Sequence, residues 1–485
     1  MGWLKRMIQS YLDIQPAQAT TIDIDPDYDW DGNAIRNRIW YRGEAGELRQ
    51  FYHQCNEAGT GGFWASVPSY TRGIAIQKIH SGIPGIMVST LANLVMHDLN
   101  LIQPDNDKDA GDWKRIADDN NFKKTLYSAV SGALAIGDGA FKISIDTSIS
   151  QYPIIEWCDG DRVTFTARRG RIIEVTFKTV YKHEGREYHL YEHYGRGYIN
   201  YTLTDAAETR RYSLSEIPET AGLEPIEFSG NFMLAIPFKI RDSAKFPGRG
   251  DSIFTGKYGA FDGLDEIISQ WASEVRHSRP MTYIPTALCP RDETGRLKPP
   301  DTFTGNFVVT QDDMREGAQQ EIKVIQPELN SDAMKEAYSD FLNMCLQGII
   351  SPATLGIDLK TNDNATAQRE KEKNTLYTRG QIVEALTNTI PLVVQSALKA
   401  LDLMTWTSPR RDIHVSVDFG EYDAPSFDSA VDTVAKARQA GIMSTEMAIS
   451  QLYGDSLTDD EKHEELEHIQ NENTVRFGDS LYEEE

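Results

Sequence analysis

Apolar residues recur at helical spacing most clearly between Ser331 and Met404. SDAMKEAYSDFLNMCLQGII predicts one helix and SPATLGIDLKTNDNA a polar loop. A second helical pattern then runs to about Met404, with Leu376, Val383, Leu386, Ile390, Val393, Ala397, Leu401 and Met404 on one stripe. Asn364 suits an N-cap, and Pro391, which lacks an amide hydrogen, predicts a kink. A helix of about 40 residues reaches roughly 60 Å. That exceeds an ordinary domain, so this helix is expected to bridge parts of a larger assembly.

Upstream, AIRNRIWYRGEAGELRQFYHQ predicts two short helices about a turn at Gly43, with Leu48, Phe51 and Tyr52 on one face. The loop GGFWASVPSY precedes a segment from about Ile83 to Met96 that is apolar nearly all round, hence a buried helix. Trp113 to Ile136 predicts a further amphipathic helix, after a solvated loop or helix start at DNDKDAGD. From Ala140 to about Ile240 the period changes to two. FKISI, PIIEW, RVTFTAR, RIIEVTFKTVY, REYHLYEHY, GYINYTL and FMLAIPFKI predict an antiparallel meander of about seven strands.

Helical spacing returns in GKYGAFDGLDEIISQWASEVRHS, where Phe261, Leu264, Ile268, Trp271 and Val275 share a face. Residues 281–330 predict a small strand-and-loop unit inserted between two helices able to run antiparallel. IHVSVDFG, 413–420, is one more strand, expected to return to the earlier sheet. FDSAVDTVAKARQAG and STEMAISQLYG predict helices, the second capped by Ser444, before the acidic LTDDEKHEELEHIQNEN. The class is α+β with several domains.

Length changes the picture little, since 485 residues accommodate several cores. Charge changes it more. With 73 Asp and Glu against 49 Lys and Arg, the net charge of -24 opposes any gripping of nucleic acid. A protein past which DNA slides without being held would want this sign. The four cysteines, Cys55, Cys158, Cys289 and Cys345, are scattered without metal spacing and read as reduced thiols. No apolar run approaches the ~18 residues of a membrane span. The amphipathic N-terminus lacks a secretory apolar region, and Arg6 stands where myristoylation wants Ser or Thr.

Candidate chemistry is sparse. Between Gly250 and Gly256-Lys257-Tyr258 there are five residues, where a phosphate loop needs four and then a hydroxyl after the lysine, so the stretch reads as a turn. His463 and His468 are five apart, one too many for a zinc-protease face. Asp27, Asp29 and Asp31 begin a calcium-loop pattern, but Arg38 occupies the position of the bidentate glutamate. Asp105, Asp107 and Asp109 form a weaker version. His183, His189 and His193 lie on predicted strands and read as cross-strand pairs. The expectation is therefore no enzyme, no cofactor and no metal.

The order of elements resembles the portal proteins of long-tailed double-stranded DNA bacteriophages. RNRIWYRGEAGELRQFY with KIHSGIPGIMVSTLANLV is similar to their N-terminal half, and GRGDSIFTGKYGAFDGLDEIISQWASEVRHSRP to their first stem helix. ATLGIDLKTNDNATAQREKEKNTLYTRGQIVEALTNTI is similar to the tunnel loop and following helix, and the segment from FDSAVDTVAKARQAGIMSTEM to the crown. The resemblance implies a multi-domain portal fold assembling as a ring of about twelve subunits. Its parts would be a wing (1–255), stem helices (256–280 and 331–350), a clip (281–330), a tunnel loop (351–364), a long wing helix with a returning strand (365–420) and a crown with an acidic tail (421–485).

By the same resemblance the ring sits at one capsid vertex of the virion and passes double-stranded DNA during packaging and ejection. Terminase large subunit, head-completion or adaptor proteins, and major capsid and scaffolding proteins are the implied partners. Within that picture Asp265, Glu266 and Glu274 are expected to line the bore. Ile268, Trp271 and Val275 are expected to pack neighbouring subunits. Asp358, Lys360, Thr361, Asn362, Asp363 and Asn364 are expected to face the DNA. The rival expectations are a hydrolase or metal-dependent enzyme sited in the wing, and a capsid adaptor without a channel.

Overall fold

The computed structural model describes residues 29–57, 62–66, 76–278, 280–289, 306–311, 321–326, 330–357, 365–405, 413–420, 427–453, 462–466 and 468–469. Asp29 starts the first helix because its carboxylate accepts the Gly32 amide at 2.7 Å, an N-cap that satisfies an otherwise orphaned donor. Helix α1 (Trp30–Arg42) ends on Gly43 in the left-handed conformation, the turn that the sequence predicts. α2 (Ala45–Glu57) follows, with Leu48 and Phe51 buried. α3 (Ile83–His97) is apolar and buries Met87, Val88, Leu91 and Val95.

Leu99–Pro104, to which the sequence pattern assigns no element, forms strand β1. One expectation changes in the next stretch: the helix expected from Trp113 to Ile136 is two helices, α4 (Asp107–Asp119) and α5 (Phe122–Ile136). The break has a cause at Asn120 and Asn121. The Asn120 side chain accepts the Ile155 amide at 2.7 Å and donates to Pro153 O at 2.8 Å, so it is spent on a distant strand. Asn121 then takes a positive φ of 47°, a conformation asparagine tolerates better than most residues.

The predicted seven-strand meander is likewise two sheets. β2 (Asp138–Ser144) lies between β3 (Ile154–Asp159) and the later β10 (Ala235–Lys239), all antiparallel. β4 (Val163–Arg168), β5 (Arg171–His183), β6 (Arg186–Gly195), β7 (Tyr198–Asp205) and β8 (Arg211–Tyr212) form the second sheet in sequence order, with β9 (Ile226–Glu227) paired to β7. The chain changes sheets at a 3-10 turn, Gly160–Arg162. Arg38 holds that turn through Asp159 (3.0 Å) and Asp161 (2.7 Å), and Arg249 holds it through Gly160 O, Val163 O and Asp138. A side chain on Gly160 would meet the Asp138 carboxylate at 2.1 Å, so only glycine fits there.

α6 (Tyr258–His277) and, beyond it, the three-stranded sheet of β11 (Met281–Pro285), β12 (Asn306–Thr310) and β13 (Lys323–Ile325) come next. β11 is central, parallel to β12 and antiparallel to β13. α7 (Ser331–Leu346) returns along α6, and α8 (Ala365–Met404) follows. α8 has 40 residues with Pro391 inside it. It buries Ile382, Leu386, Ile390, Val393 and Ala397, close to the predicted stripe. β14 (Val415–Phe419) pairs antiparallel with β1, not with the sheet of 138–240 as expected.

One continuous core runs through α1, α3, α5, β2, β10, the start of α6, the end of α7 and most of α8. Tyr188, Leu190, Leu203 and Ile217 form a small second cluster behind β6 and β7. The chain divides into two compact units, Met1–Phe419 and Gly420–Glu485. The second contains α9 (Phe427–Gln439) and α10 (Thr445–Tyr453), the latter started by Ser444, whose hydroxyl accepts the Met447 amide. The class is α+β, helices with largely antiparallel sheets.

Candidate functional site

α6 and α7 are the elements on which the predicted bore and packing residues lie. Their pairing can be followed along the helices. Lys257 Nζ donates to Met344 O and Gln347 O, both at 2.8 Å, the Phe341 ring covers Gly263, and the Trp271 ring faces Tyr338 at 6.5 Å. Rising numbers on α6 meet falling numbers on α7, so the two are antiparallel. A side chain at Gly263 would approach Phe341 at 2.2 Å, which explains glycine in mid-helix. Lys257, the candidate phosphate-loop lysine, caps the C-terminal end of α7, where a cation is favoured. Gly250 of the same stretch donates its amide to Asp138 at 2.7 Å, and the Ser252 hydroxyl donates to Ala135 O at 2.6 Å. The stretch is an anchor between helices.

Asp265 does not line a bore. It is fully buried, and its carboxylate accepts the Trp64 indole N–H (3.0 Å), the Ser81 amide (2.8 Å) and the His80 Nδ1 (2.6 Å). One turn earlier, Asp262 accepts the amides of Phe63 (2.6 Å) and Trp64 (3.1 Å), and burial raises its carboxyl above the usual range. The Lys78 ammonium donates to Phe63 O, to Trp64 O (2.8 Å) and to Ser66 O (2.9 Å), and burial pushes it down to about 8. The Ile79 amide donates to the Ser269 hydroxyl at 2.9 Å. Together these groups clasp segments 62–66 and 76–81 onto α6. A buried carboxylate persists only with this many donors.

The two other predicted bore residues differ from Asp265. Glu266 and Glu274 are partly exposed, and Glu266 accepts the Gln270 amide nitrogen at 2.9 Å. Ile268 packs against the core and Trp271 against Tyr338, so both are used within the chain, whereas Val275 is half exposed. The longer acidic row is on α7. Asp332, Glu336 and Asp340 are exposed and four apart, which aligns them on one helical face. The sequence carries that spacing openly, but the apolar stripe of α6 drew the expectation to the other helix.

The predicted DNA-facing residues Asp358, Lys360, Thr361, Asn362, Asp363 and Asn364 lie outside the described residues. Their root is described. Thr375 of α8 accepts the Ser351 amide at 2.9 Å and bonds the Thr354 hydroxyl at 2.8 Å, and the Thr378 hydroxyl donates to Ile349 O at 2.6 Å. These hydroxyls, all buried or partly buried, tie the segment after α7 to α8 on the near side of the loop.

Several of the remaining candidates have structural roles among the described residues. Asp29 is the α1 cap already described, and Asp27 lies outside the described residues. Asn106 caps α4, with Asp107 and Asp109 in its first turn. His189 is buried beside Glu187, and His193 contacts Thr176 across the β5–β6 pair. Among the described residues no group of three or more His, Cys, Asp or Glu is placed to hold a metal ion, and no helix is long and apolar enough to cross a membrane.

Helices with largely antiparallel sheets define the class, and comparison with known proteins adds distant likenesses. The chain is similar to a chain of the virion of a native gene transfer agent (GTA) particle, with 11% identity, 76% of this chain and 89% of that one covered, and a TM-score of 0.36. It is also similar to a chain from the neck of the native GTA particle with C12 symmetry, with 11% identity, 76% and 89% covered, and a TM-score of 0.41. For the neck of the empty particle with C6 symmetry the identity is 11%, the coverage 77% and 90%, and the TM-score 0.38. No protein-family model and no curated protein sequence matches the chain. Overlaps of this size assign neither a family nor a function.

Proposed function

We propose that this protein is a portal subunit, which closes with about twelve copies into a ring at one vertex of a phage-like capsid and lets double-stranded DNA pass. The observation that carries the reading is the antiparallel α6–α7 pair. It leaves the core as a hairpin, holds a three-stranded sheet between its two helices in sequence, and exposes an acidic row on α7. That is the order of parts that the sequence resemblance implies for stem and clip. An acidic wall suits passage, because it makes no lasting contact with phosphates. In this reading Asp332, Glu336 and Asp340 join Glu266 and Glu274 as candidates for the bore, and Asp265 holds the stem in place. Terminase supplies the ATP hydrolysis, and the sheet after α6 is the docking end for terminase and later for head-completion proteins.

The reading is tested by measuring the mass of the purified full chain and imaging it by negative stain. Annuli with a central hole are expected. A monomer that never closes, even in assembled particles, overturns the proposal, and metal-dependent turnover by such a monomer would favour an enzyme. Within the ring, Lys360→Ala and deletion of 359–363 are expected to disturb packaging, DNA retention or ejection. Unchanged behaviour in all three removes the loop from the pathway.

A further inference from the structure

A groove of about 630 Å³ runs beside β1. One wall is the consecutive run Leu99–Gln103, the other is α4 and the first turn of α5, and Trp113 and Phe122 form an aromatic floor. No residue of β14 lines it, so the groove follows the edge of β1 that β14 leaves free. Among the described residues no strand pairs with that edge, so its backbone is available. The Asp105 amide donates to His414 O at 3.1 Å, and in an antiparallel ladder hydrogen-bonded pairs alternate. The Ile102 amide and carbonyl, three residues earlier, therefore point away from β14 into the groove. Leu101, on the same run, is 47% exposed. Lys114 and Lys123 stand on the rim against Asp118, a local basic excess on a chain of net charge -24.

An unpaired strand edge over an apolar floor is the geometry that takes an added strand. The occupant should be extended, alternating and acidic. Thr20-Thr21-Ile22-Asp23-Ile24-Asp25 has that pattern: Ile22 and Ile24 fall on one face of a strand, Asp23 and Asp25 on the other, and Pro26 ends it. It cannot come from the same copy. Trp30 lies against Gly137, Asn37 donates to Ile136 O, and Tyr41 lies near Tyr127, so α1 runs antiparallel to α5. Asp29 is thus at the end of α5 remote from the groove. The 15 residues of α5 put roughly 21 Å between its ends, whereas the four steps from Asp29 to Asp25 span at most about 14 Å.

We infer that residues 20–25 of a neighbouring copy add as a strand to the free edge of β1, with Ile22 and Ile24 over Trp113 and Phe122. The inference rests on the reading of the protein as a self-assembling ring. It gives that ring an exchanged arm, so each copy is latched to the next by backbone pairing as well as by side-chain packing.

Two full-length preparations test it, one carrying Ile24→Cys and the other Ile102→Cys, whose side chain is on the same face of β1 as Trp113 and Phe122; they are distinguishable by mass and mixed before assembly. Oxidation is expected to give a mixed disulfide dimer at least tenfold more abundant than with Ile173→Cys, an exposed control on β5, in place of Ile102→Cys. Ile22→Cys covers a shift of register. Rings that form normally yet give no 22–102 or 24–102 dimer, and whose dissociation is unaltered on removing residues 1–25, overturn the arm while leaving the ring intact. A chain with both cysteines that closes only on itself also overturns it. If no ring forms at all, both readings fail together.

Discussion

Asp265 and Glu266 are neighbours with opposite fates, and a pair of substitutions separates them. Asp265→Ala strands the Trp64 indole, the Ser81 amide and His80 in a closed interior, and losing one partner of such a cluster costs about 3–5 kcal/mol. Glu266→Ala and Glu274→Ala remove partly exposed groups and are expected to change stability by about 0.5 kcal/mol or less. Urea denaturation of the three variants measures this. Equal, small effects would deny the clasp its role. The burial of Asp265 was within reach of the sequence, because it is four residues after Phe261 and three before Ile268 and so sits inside the apolar stripe of α6. Its partners, nearly two hundred positions upstream, were not legible, since local spacing says nothing of which loop closes over a helix.

A second buried carboxylate adds a pH dependence. Burial pushes Asp138 up to about 6, against the pull of Arg249 and the Gly250 amide. Between about pH 4 and pH 6 the folded state then holds a proton at this site that the unfolded chain has released, so this group's contribution to stability falls as pH rises. Two pKa units correspond to about 3 kcal/mol. The difference in unfolding free energy between the native chain and Asp138→Asn, followed from pH 4 to pH 7, should decline by an amount of that order. A flat difference would mean that Asp138 stays ionised throughout.

At the scale of elements, the α6–α7 pair makes its own prediction. Changing Asp332, Glu336 and Asp340 to Lys reverses the exposed row on α7. If that row faces passing DNA, assembled rings should bind a short duplex at least tenfold more tightly, with an affinity that falls steeply as salt rises. The same reversal at Glu216, Glu219 and Glu224, exposed acids near the second sheet, should do much less. Fluorescence anisotropy at low and moderate salt compares them, and equal gains would place the row outside the bore. Elements with strong periodicity (α3, α6, α7, α8 and the long strands) were legible in the sequence. Those that failed were decided by contacts far along the chain. Asn120 breaks a continuous helical pattern by bonding to β3, Arg38 and Arg249 divide one run of strands into two sheets, and LNLIQP becomes a strand because β14 returns to it. A short apolar run with no alternation carries no sign of its own which partner will claim it.

For the whole molecule the governing quantity is charge. Copies carrying -24 each repel one another, so any ring must be held by contacts that outweigh this repulsion. The exposed apolar residues Leu101, Val275, Val309, Val324 and Ile325 mark where such contacts are available on the β1 edge, the α6 helix and the three-stranded sheet. Raising salt from about 0.1 M to about 1 M shortens the screening length from about 10 Å to about 3 Å. Repulsion between copies is then largely removed, while apolar contacts and backbone pairing survive. Self-association should therefore strengthen with salt, seen in sedimentation velocity as a shift toward the largest species at fixed protein concentration. Rings that dissociate as salt rises would instead be held by ion pairs between acidic and basic faces. That outcome would make ion pairs, such as those of the rim lysines Lys114 and Lys123 with acidic groups of a neighbouring copy, the main hold between copies in place of these apolar contacts.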